Sequence, residues 1–313
     1  MRIVVLDDYQ GVAAGYAAWD RLNAEVVFVS RPVADENDFV MLLSGAEVVV
    51  AMRERTPFTA ARLSRLPDLR LLVTTGQANA SIDLDAAREH GVVVCGTESP
   101  STATPELTWA LILAAVRSIP LEDAAMRAGG WQTTVGADLA GRRLGVVGLG
   151  RLGTQVARIG AAFGMDVVAW SQNLEPARAA GVGARAVSKE ELFTTSDVVT
   201  LHYKLSDRSR GLVGAAELAL MLPSAILVNT SRGQLIQTPA LIEALQENRI
   251  RGAALDVFDV EPLPEDDPLR TTPRTVLTPH LGYVTEGTYR VFYPQTVEAI
   301  SAWIAGNPIR RLA

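Results

Sequence analysis

The sequence predicts an α/β protein with doubly wound parallel sheets, and three observations carry that expectation. Short runs rich in β-branched residues recur along the whole chain. They are apolar throughout instead of alternating with polar residues, which suits strands covered on both faces. Helix-like segments separate most of them, as βαβ units with right-handed crossovers require. With 313 residues the chain has room for two domains of ordinary size.

Taken in order, the first series has strand candidates at residues 2–8 (RIVVLDD), 25–30 (EVVFVS), 47–52 (EVVVAM), 69–75 (LRLLVTT) and 92–96 (VVVCG). Helix candidates lie among them at 38–45, 59–66 and 82–91. The last ends on Gly91, a residue suited to a helix C-cap. A second series follows the helix-like run 105–118, which leads through a looser, glycine-containing stretch to a strand at 143–150 (RLGVVGLG). Further strands are expected at 166–171, 197–203, 225–231, 251–258 and 275–280. The Pro- and acid-rich stretch 261–273 reads as a loop. A closing helix is expected over about 285–305, with Tyr289, Phe292, Tyr293 and Ile300 near one face as a packing stripe.

About half the residues are apolar, one fifth are charged and the net charge is −6, the make-up of a soluble globular protein. No Lys/Arg block marks a nucleic-acid footprint, so nucleic acid is not an expected partner. The N-terminal MRIVVLDDYQ lacks the layout of a signal peptide, and no apolar run approaches the roughly 18 residues a bilayer span needs. No membrane partner is expected, and the cytoplasm is the expected compartment. The single Cys95 excludes an internal disulfide and a cysteine-based metal cluster, and no metal is expected.

Gly148, Gly150 and Gly153 form G-x-G-x-x-G between a strand candidate and the helix-like TQVARIGAAFG. In that setting the first glycine permits a tight turn and the second lets the backbone approach a pyrophosphate. The third lets helix and strand pack closely, with phosphate at the helix N-terminus. Together with Arg151 and Leu152 these residues are candidates for holding NAD(P). The plainer alternative is a glycine-rich βα turn without a ligand. Where NAD-binding chains usually carry an acid, this chain has Ser171, then Gln172 and Asn173. An acid there would repel the extra phosphate of NADP, since like charges about 4 Å apart cost on the order of 4 kcal/mol at an effective dielectric near 20. Ser171 lifts that repulsion, but Gln172 and Asn173 add no positive charge. Relaxed choice between NAD and NADP is expected.

Three downstream segments carry chemistry: VNTSRGQ (228–234), ALDVFDVEP (254–262) and LTPHLG (277–282). Arg232 follows a strand ending in Thr230 and Ser231, Glu261 lies at a strand-to-loop exit, and His280 follows Thr278-Pro279. Each occupies the carboxyl end of an expected strand, where open α/β sheets bind ligands. An arginine can clamp a carboxylate bidentately and polarise the neighbouring carbonyl. A histidine can give or take the proton of that oxygen. Glu261 can orient the imidazole and favour its protonated form. Taken singly, each could be a solvated charge or a loop-capping group; in combination they suit hydride transfer at a 2-oxo acid.

The combination resembles the D-isomer-specific 2-hydroxyacid dehydrogenases, through GLGRLG, LVNTSRG, GAALDVF with VEP, and LTPHLG, in that family's order and approximate spacing. The likeness covers nearly the whole chain. It implies a flavodoxin-like substrate lobe, residues 1–100 plus 284–313, into which a Rossmann nucleotide lobe, residues 101–283, is inserted, with the active site in the cleft. It also implies Arg232, Glu261 and His280 as the catalytic trio, Asp256 near the nicotinamide amide, and a homodimer joined through the nucleotide lobe. TTGQANASID (74–83) matches the loop whose amides hold the substrate carboxylate, which makes Gly76, Gln77 and Ala78 candidates. Arg53 matches a substrate-facing position of phosphoglycerate-using relatives, and Tyr283 replaces a small residue and would narrow the pocket. Ala78, Lys204 and Ser171 depart from the family's usual residues. The expected activity is reduction or oxidation of a small 2-oxo or 2-hydroxy acid such as glyoxylate, hydroxypyruvate or a phosphoglycerate-like acid. The alternatives are an NAD(P)-sensing, corepressor-like interaction protein, or an enzyme oxidising a one-carbon or inorganic donor such as formate or phosphite on the same scaffold. A hydrolase using His280 as its base lacks a placed nucleophile.

Overall fold

Runs such as Val48–Ala51 and Leu71–Thr74 bury every residue. A strand of that kind is stable only in the middle of a parallel sheet with both faces covered. The computed structural model describes residues 1–313, and the chain separates into two compact units: Met1–Pro100 with Thr285–Ala313, and Ser101–Val284.

The first unit holds strands β1 (Arg2–Val5), β2 (Glu25–Phe28), β3 (Val48–Ala51), β4 (Leu71–Thr74) and β5 (Val93–Gly96), ordered β2-β1-β3-β4-β5 and all parallel. This is the flavodoxin-like order, whose topological switch point lies between β1 and β3. Helices are started by the capping residues expected at such ends: Asp35 and Asp83 accept backbone amides of Glu36–Leu43 and Leu84–Glu89. Gly91, at φ 70°, follows the second of these helices. The helix Glu286–Ile304, capped by Thr285, packs on β4 and on the short helix Ala13–Tyr16. Its Tyr289, Phe292, Tyr293 and Ile300 are all buried, as the stripe predicted. Each such side chain stabilises by roughly 1.5–3 kcal/mol relative to exposure.

The second unit holds β6 (Arg143–Val147), β7 (Asp166–Trp170), β8 (Arg185–Ala186), β9 (Val198–Leu201), β10 (Ile226–Asn229), β11 (Gly252–Leu255) and β12 (Thr275–Leu277). Their order is β12-β11-β10-β9-β6-β7-β8, parallel throughout. The chain starts at β6, runs out to β8 and returns to the other side of β6, so the switch point lies between β6 and β9. Two details differ from the sequence expectation. The two-residue β8 is too short to leave an apolar signature. The looser stretch after residue 118 contains the helix Ile119–Arg127, none of whose residues is buried. Its apolar residues Ile119, Leu121 and Met126 are exposed instead.

Candidate active site

Strand β6 delivers Gly148 at φ 98°, where an added Cβ would come within 2.4 Å of the His202 carbonyl oxygen. A Cβ on Gly153 would lie 2.1 Å from the Gly148 carbonyl oxygen. Both positions therefore require glycine, because backbone crosses backbone at the switch point. Gly150 is different: nothing lies within 4 Å of its missing Cβ. It is the N-cap of the helix Arg151–Ala162, whose first turn has no acid and no side-chain cap. Open space beside uncapped amides is what a dinucleotide's pyrophosphate needs, so these residues fit an NAD(P) cofactor.

Ser171 braces this loop, its hydroxyl accepting the Leu149 amide at 3.2 Å. The neighbouring Trp170 stacks on Tyr203, with ring centroids 5.9 Å apart, and the Tyr203 hydroxyl accepts the Gln172 amide at 3.4 Å. Lys189 sits over Trp170 but is committed to Glu217 and the Leu212 carbonyl. His202 packs against the glycine turn, bonded through Nε2 to Thr200. Burial brings its pKa down to about 4, so the ring is neutral at physiological pH.

At the end of β10 the Asn229 side chain ties the turn, donating to the Arg232 carbonyl and accepting the Ser231 amide. Thr230 bonds Thr108, Ser231 donates to the Leu201 carbonyl, and the Arg232 guanidinium donates to the Ser231 carbonyl at 2.7 Å. A Cβ on Gly233 would lie 2.1 Å from the Phe258 carbonyl carbon. This glycine thus lets the Arg232 turn press against the segment that leads to Glu261.

Asp256, fully buried at the end of β11, anchors the histidine loop. One of its oxygens accepts the Thr278 hydroxyl and the Leu281 amide, both at 2.7 Å, and the other accepts the Gly282 amide at 2.9 Å. Burial pushes its carboxyl up from the ordinary value, opposed by these hydrogen bonds and by the nearby His280. With no exposed surface, Asp256 shapes the loop from within. That loop holds His280 at φ 52°, a left-handed strain typical of functional positions. His280 Nδ1 lies 2.6 Å from Glu261 Oε2, while Glu261 Oε1 accepts the Phe258 amide at 2.9 Å. A carboxylate against Nδ1 assigns the proton to that nitrogen and leaves Nε2 for chemistry. Tyr283 meets the imidazole edge-on, with centroids 5.8 Å apart. The structure thus brings Glu261 and His280 together and seats Arg232 on the adjoining turn.

In the first unit Arg53 leaves β3 at φ 54°. Its amide donates to the Thr75 hydroxyl, its carbonyl accepts Asn79 Nδ2, and its guanidinium donates to the Thr75 carbonyl and pairs with Glu54 at 3.7 Å. The guanidinium lies on Gly76, where a Cβ would be 1.8 Å from Nη1. The Gly76 amide is already spent on the Thr97 hydroxyl at 2.8 Å. Gln77 and Ala78 are exposed, and their amides have no acceptor within the chain. Asn79, Thr75 and Thr97 were not singled out from sequence; a Thr directly after a buried strand is the only signal Thr75 and Thr97 leave. No group of three His, Cys, Asp or Glu side chains is placed to hold a metal ion, and no helix is long and apolar enough to cross a membrane.

Residues 109–282 match the family description "D-isomer specific 2-hydroxyacid dehydrogenase, NAD binding domain". The glyoxylate reductase of Aeropyrum pernix is 39% identical over 78% of this chain and 76% of its own length. The D-3-phosphoglycerate dehydrogenase of Methanocaldococcus jannaschii is 37% identical over 83% of this chain but only 50% of its own length, so the chain spans about half of that relative. Among solved structures, a phosphoglycerate oxidoreductase from Vibrio cholerae superposes with a TM-score of 0.94 at 37% identity, covering 98% of this chain and 99% of that one.

Proposed function

The chain belongs to the D-isomer-specific 2-hydroxyacid dehydrogenase family, and from that premise we propose that it interconverts a small 2-oxo acid and its D-2-hydroxy acid with NAD(P). Glyoxylate, hydroxypyruvate and phosphoglycerate-like acids are the substrate candidates. The observation that carries the reading is the 2.6 Å pair of His280 Nδ1 and Glu261 Oε2, in the unit that also contains the glycine-rich loop.

Gly148, Gly150, Arg151, Leu152 and Gly153 would hold the pyrophosphate. Ser171 and Gln172 would face the adenosine ribose, and Thr230 and Ser231 would border the nicotinamide end, with the buried Asp256 holding the histidine loop behind them. When bound, the nicotinamide ring supplies or accepts the hydride exchanged with the substrate's C2. Arg232 clamps the substrate carboxylate and draws electron density from the neighbouring carbonyl. His280 gives a proton from Nε2 to the substrate oxygen during reduction and takes it back during oxidation. Glu261 holds the ring's orientation and stabilises the imidazolium that oxidation leaves. On the first unit, Arg53 and the Gln77 and Ala78 amides would receive substrate, with Gly76 shaping the turn; Tyr283, beside His280, would limit substrate size. Neither cofactor is excluded, because Ser171 neither repels a ribose phosphate nor attracts one.

Expected partners are the 2-oxo or 2-hydroxy acid and a second copy of this chain, met through the nucleotide-binding unit; the expected compartment is the cytoplasm. The exposed apolar residues Ile119, Leu121, Met126, Trp131 and Val135 support that contact surface. A sensing role has less support, since the Arg, Glu and His side chains that chemistry needs are all in place.

The test is NADH and NADPH consumption with glyoxylate, hydroxypyruvate, pyruvate and a phenyl-substituted 2-oxo acid. His280→Ala should lower kcat by about 10²–10⁴-fold, the usual worth of a general acid, with cofactor affinity nearly unchanged. A protein that binds NAD(P)H and turns over none of these acids would favour the sensing role instead.

A further inference from the structure

The substrate edge of the first unit carries a charge balance that bears on which 2-oxo acid it accepts. At the switch point between β1 and β3, the chain leaves β1 through Asp7 and Asp8 and leaves β3 through Arg53, Glu54 and Arg55. Formally, three carboxylates stand beside two guanidiniums. Arg53 Nε lies 3.7 Å from Glu54 Oε2, with the two side chains only 22% and 20% exposed. Arg55 acts by its charge on Asp7, whose carboxylate also accepts the Thr56 and Tyr9 hydroxyls. Asp8 accepts the amides of Val12 and Ala13. Burial pushes the Asp7 carboxyl up from its ordinary value, yet even without Asp7 the acids equal the guanidiniums in number.

Resting on the reading of Arg53 and the 76–78 loop as substrate-binding, we propose that Glu54 is a specificity-determining residue. It restricts the substrate to 2-oxo acids bearing a single anionic group. Such an acid needs only one carboxylate clamp, which the Gln77 and Ala78 amides can supply on this unit. A phosphorylated 2-oxo acid brings a further charge of about −1.5 to −2 near neutral pH. That charge would have to settle where Arg53 is already paired with Glu54, beside a half-buried carboxylate that repels it. A charge placed against the unwanted ligand is a standard route to discrimination, and partial burial limits its screening by salt.

The experiment compares kcat/KM for glyoxylate, hydroxypyruvate and 3-phosphohydroxypyruvate in the wild type, Glu54→Gln and Glu54→Asp. Alongside, the singly charged oxamate and 3-phosphoglycerate are titrated calorimetrically into the NADH-mixed proteins. The wild type should favour the unphosphorylated acids by about 100-fold, and Glu54→Gln should cut that preference by about 10-fold or more through the KM of the phosphorylated acid. Glu54→Asp, which keeps the charge, should retain the preference. Equal use of the phosphorylated acid by the wild type, or a preference unchanged in Glu54→Gln, overturns the proposal. If no 2-oxo acid is turned over, the catalytic reading fails and the calorimetry decides this one. Oxamate bound by the wild type, with 3-phosphoglycerate bound only after Glu54→Gln, supports it; any other pattern overturns it.

Discussion

Ser171 braces a loop and, on the proposed reading, faces the cofactor's ribose. Its hydroxyl braces the dinucleotide loop by accepting the Leu149 amide, a bond that a carboxylate at the same position would also make. Ser171→Asp should therefore preserve the loop while placing a negative charge where the NADP phosphate would lie. The expected outcome is a fall in kcat/KM with NADPH of about tenfold or more, with NADH affected little. Steady-state kinetics with both cofactors checks this, and equal loss with both would show that the residue is not beside the ribose. His280 makes the complementary point. Its candidacy was readable from LTPHLG, but its left-handed backbone and the carboxylate facing Nδ1 emerge only where β11 and β12 end side by side.

Loops that receive ligands must keep their polar groups aimed, and in the element following β4 that task falls to buried side chains. Asn79, 7% exposed, donates to the Arg53 carbonyl and the Thr74 hydroxyl while accepting the Ser81 amide. It locks both the strained Arg53 backbone and the return of its own loop. Asn79→Ala would leave these groups unsatisfied, at about 1–3 kcal/mol. We expect KM for the 2-oxo acid to rise about tenfold with kcat changed much less, since that stabilisation acts on binding. Unchanged KM, or an equal loss of NADH affinity, would show that Asn79 does not act through the substrate loop. The TTGQANASID pattern located this loop in the sequence, yet it could not say that the Gly76 amide is consumed by Thr97, the residue just after the next strand.

For the molecule as a whole, the most conspicuous unpartnered surface lies on the nucleotide-binding unit. Trp131 is 73% and Val135 91% exposed, beside a helix that buries none of its residues. Exposed apolar area of this kind marks an interaction surface. Sedimentation velocity at micromolar concentration should find the wild type dimeric and a Leu121→Glu, Trp131→Glu double variant monomeric with its thermal stability retained. A monomeric wild type would remove the expectation.

The division of the chain into parallel strands and helices, the G-x-G-x-x-G turn after β6, and the candidacy of Arg232, Glu261 and His280 were all determined by the sequence. Hydrophobic period, turn chemistry and motif spacing act over a few residues and can be read there. Tertiary structure alone decided that Glu261 meets His280, that Gly233 lets the arginine turn press on Phe258, and that Asp256 is spent holding the histidine loop. Such contacts depend on strand order, register and side-chain direction, and those are set by the packing of distant segments against one another.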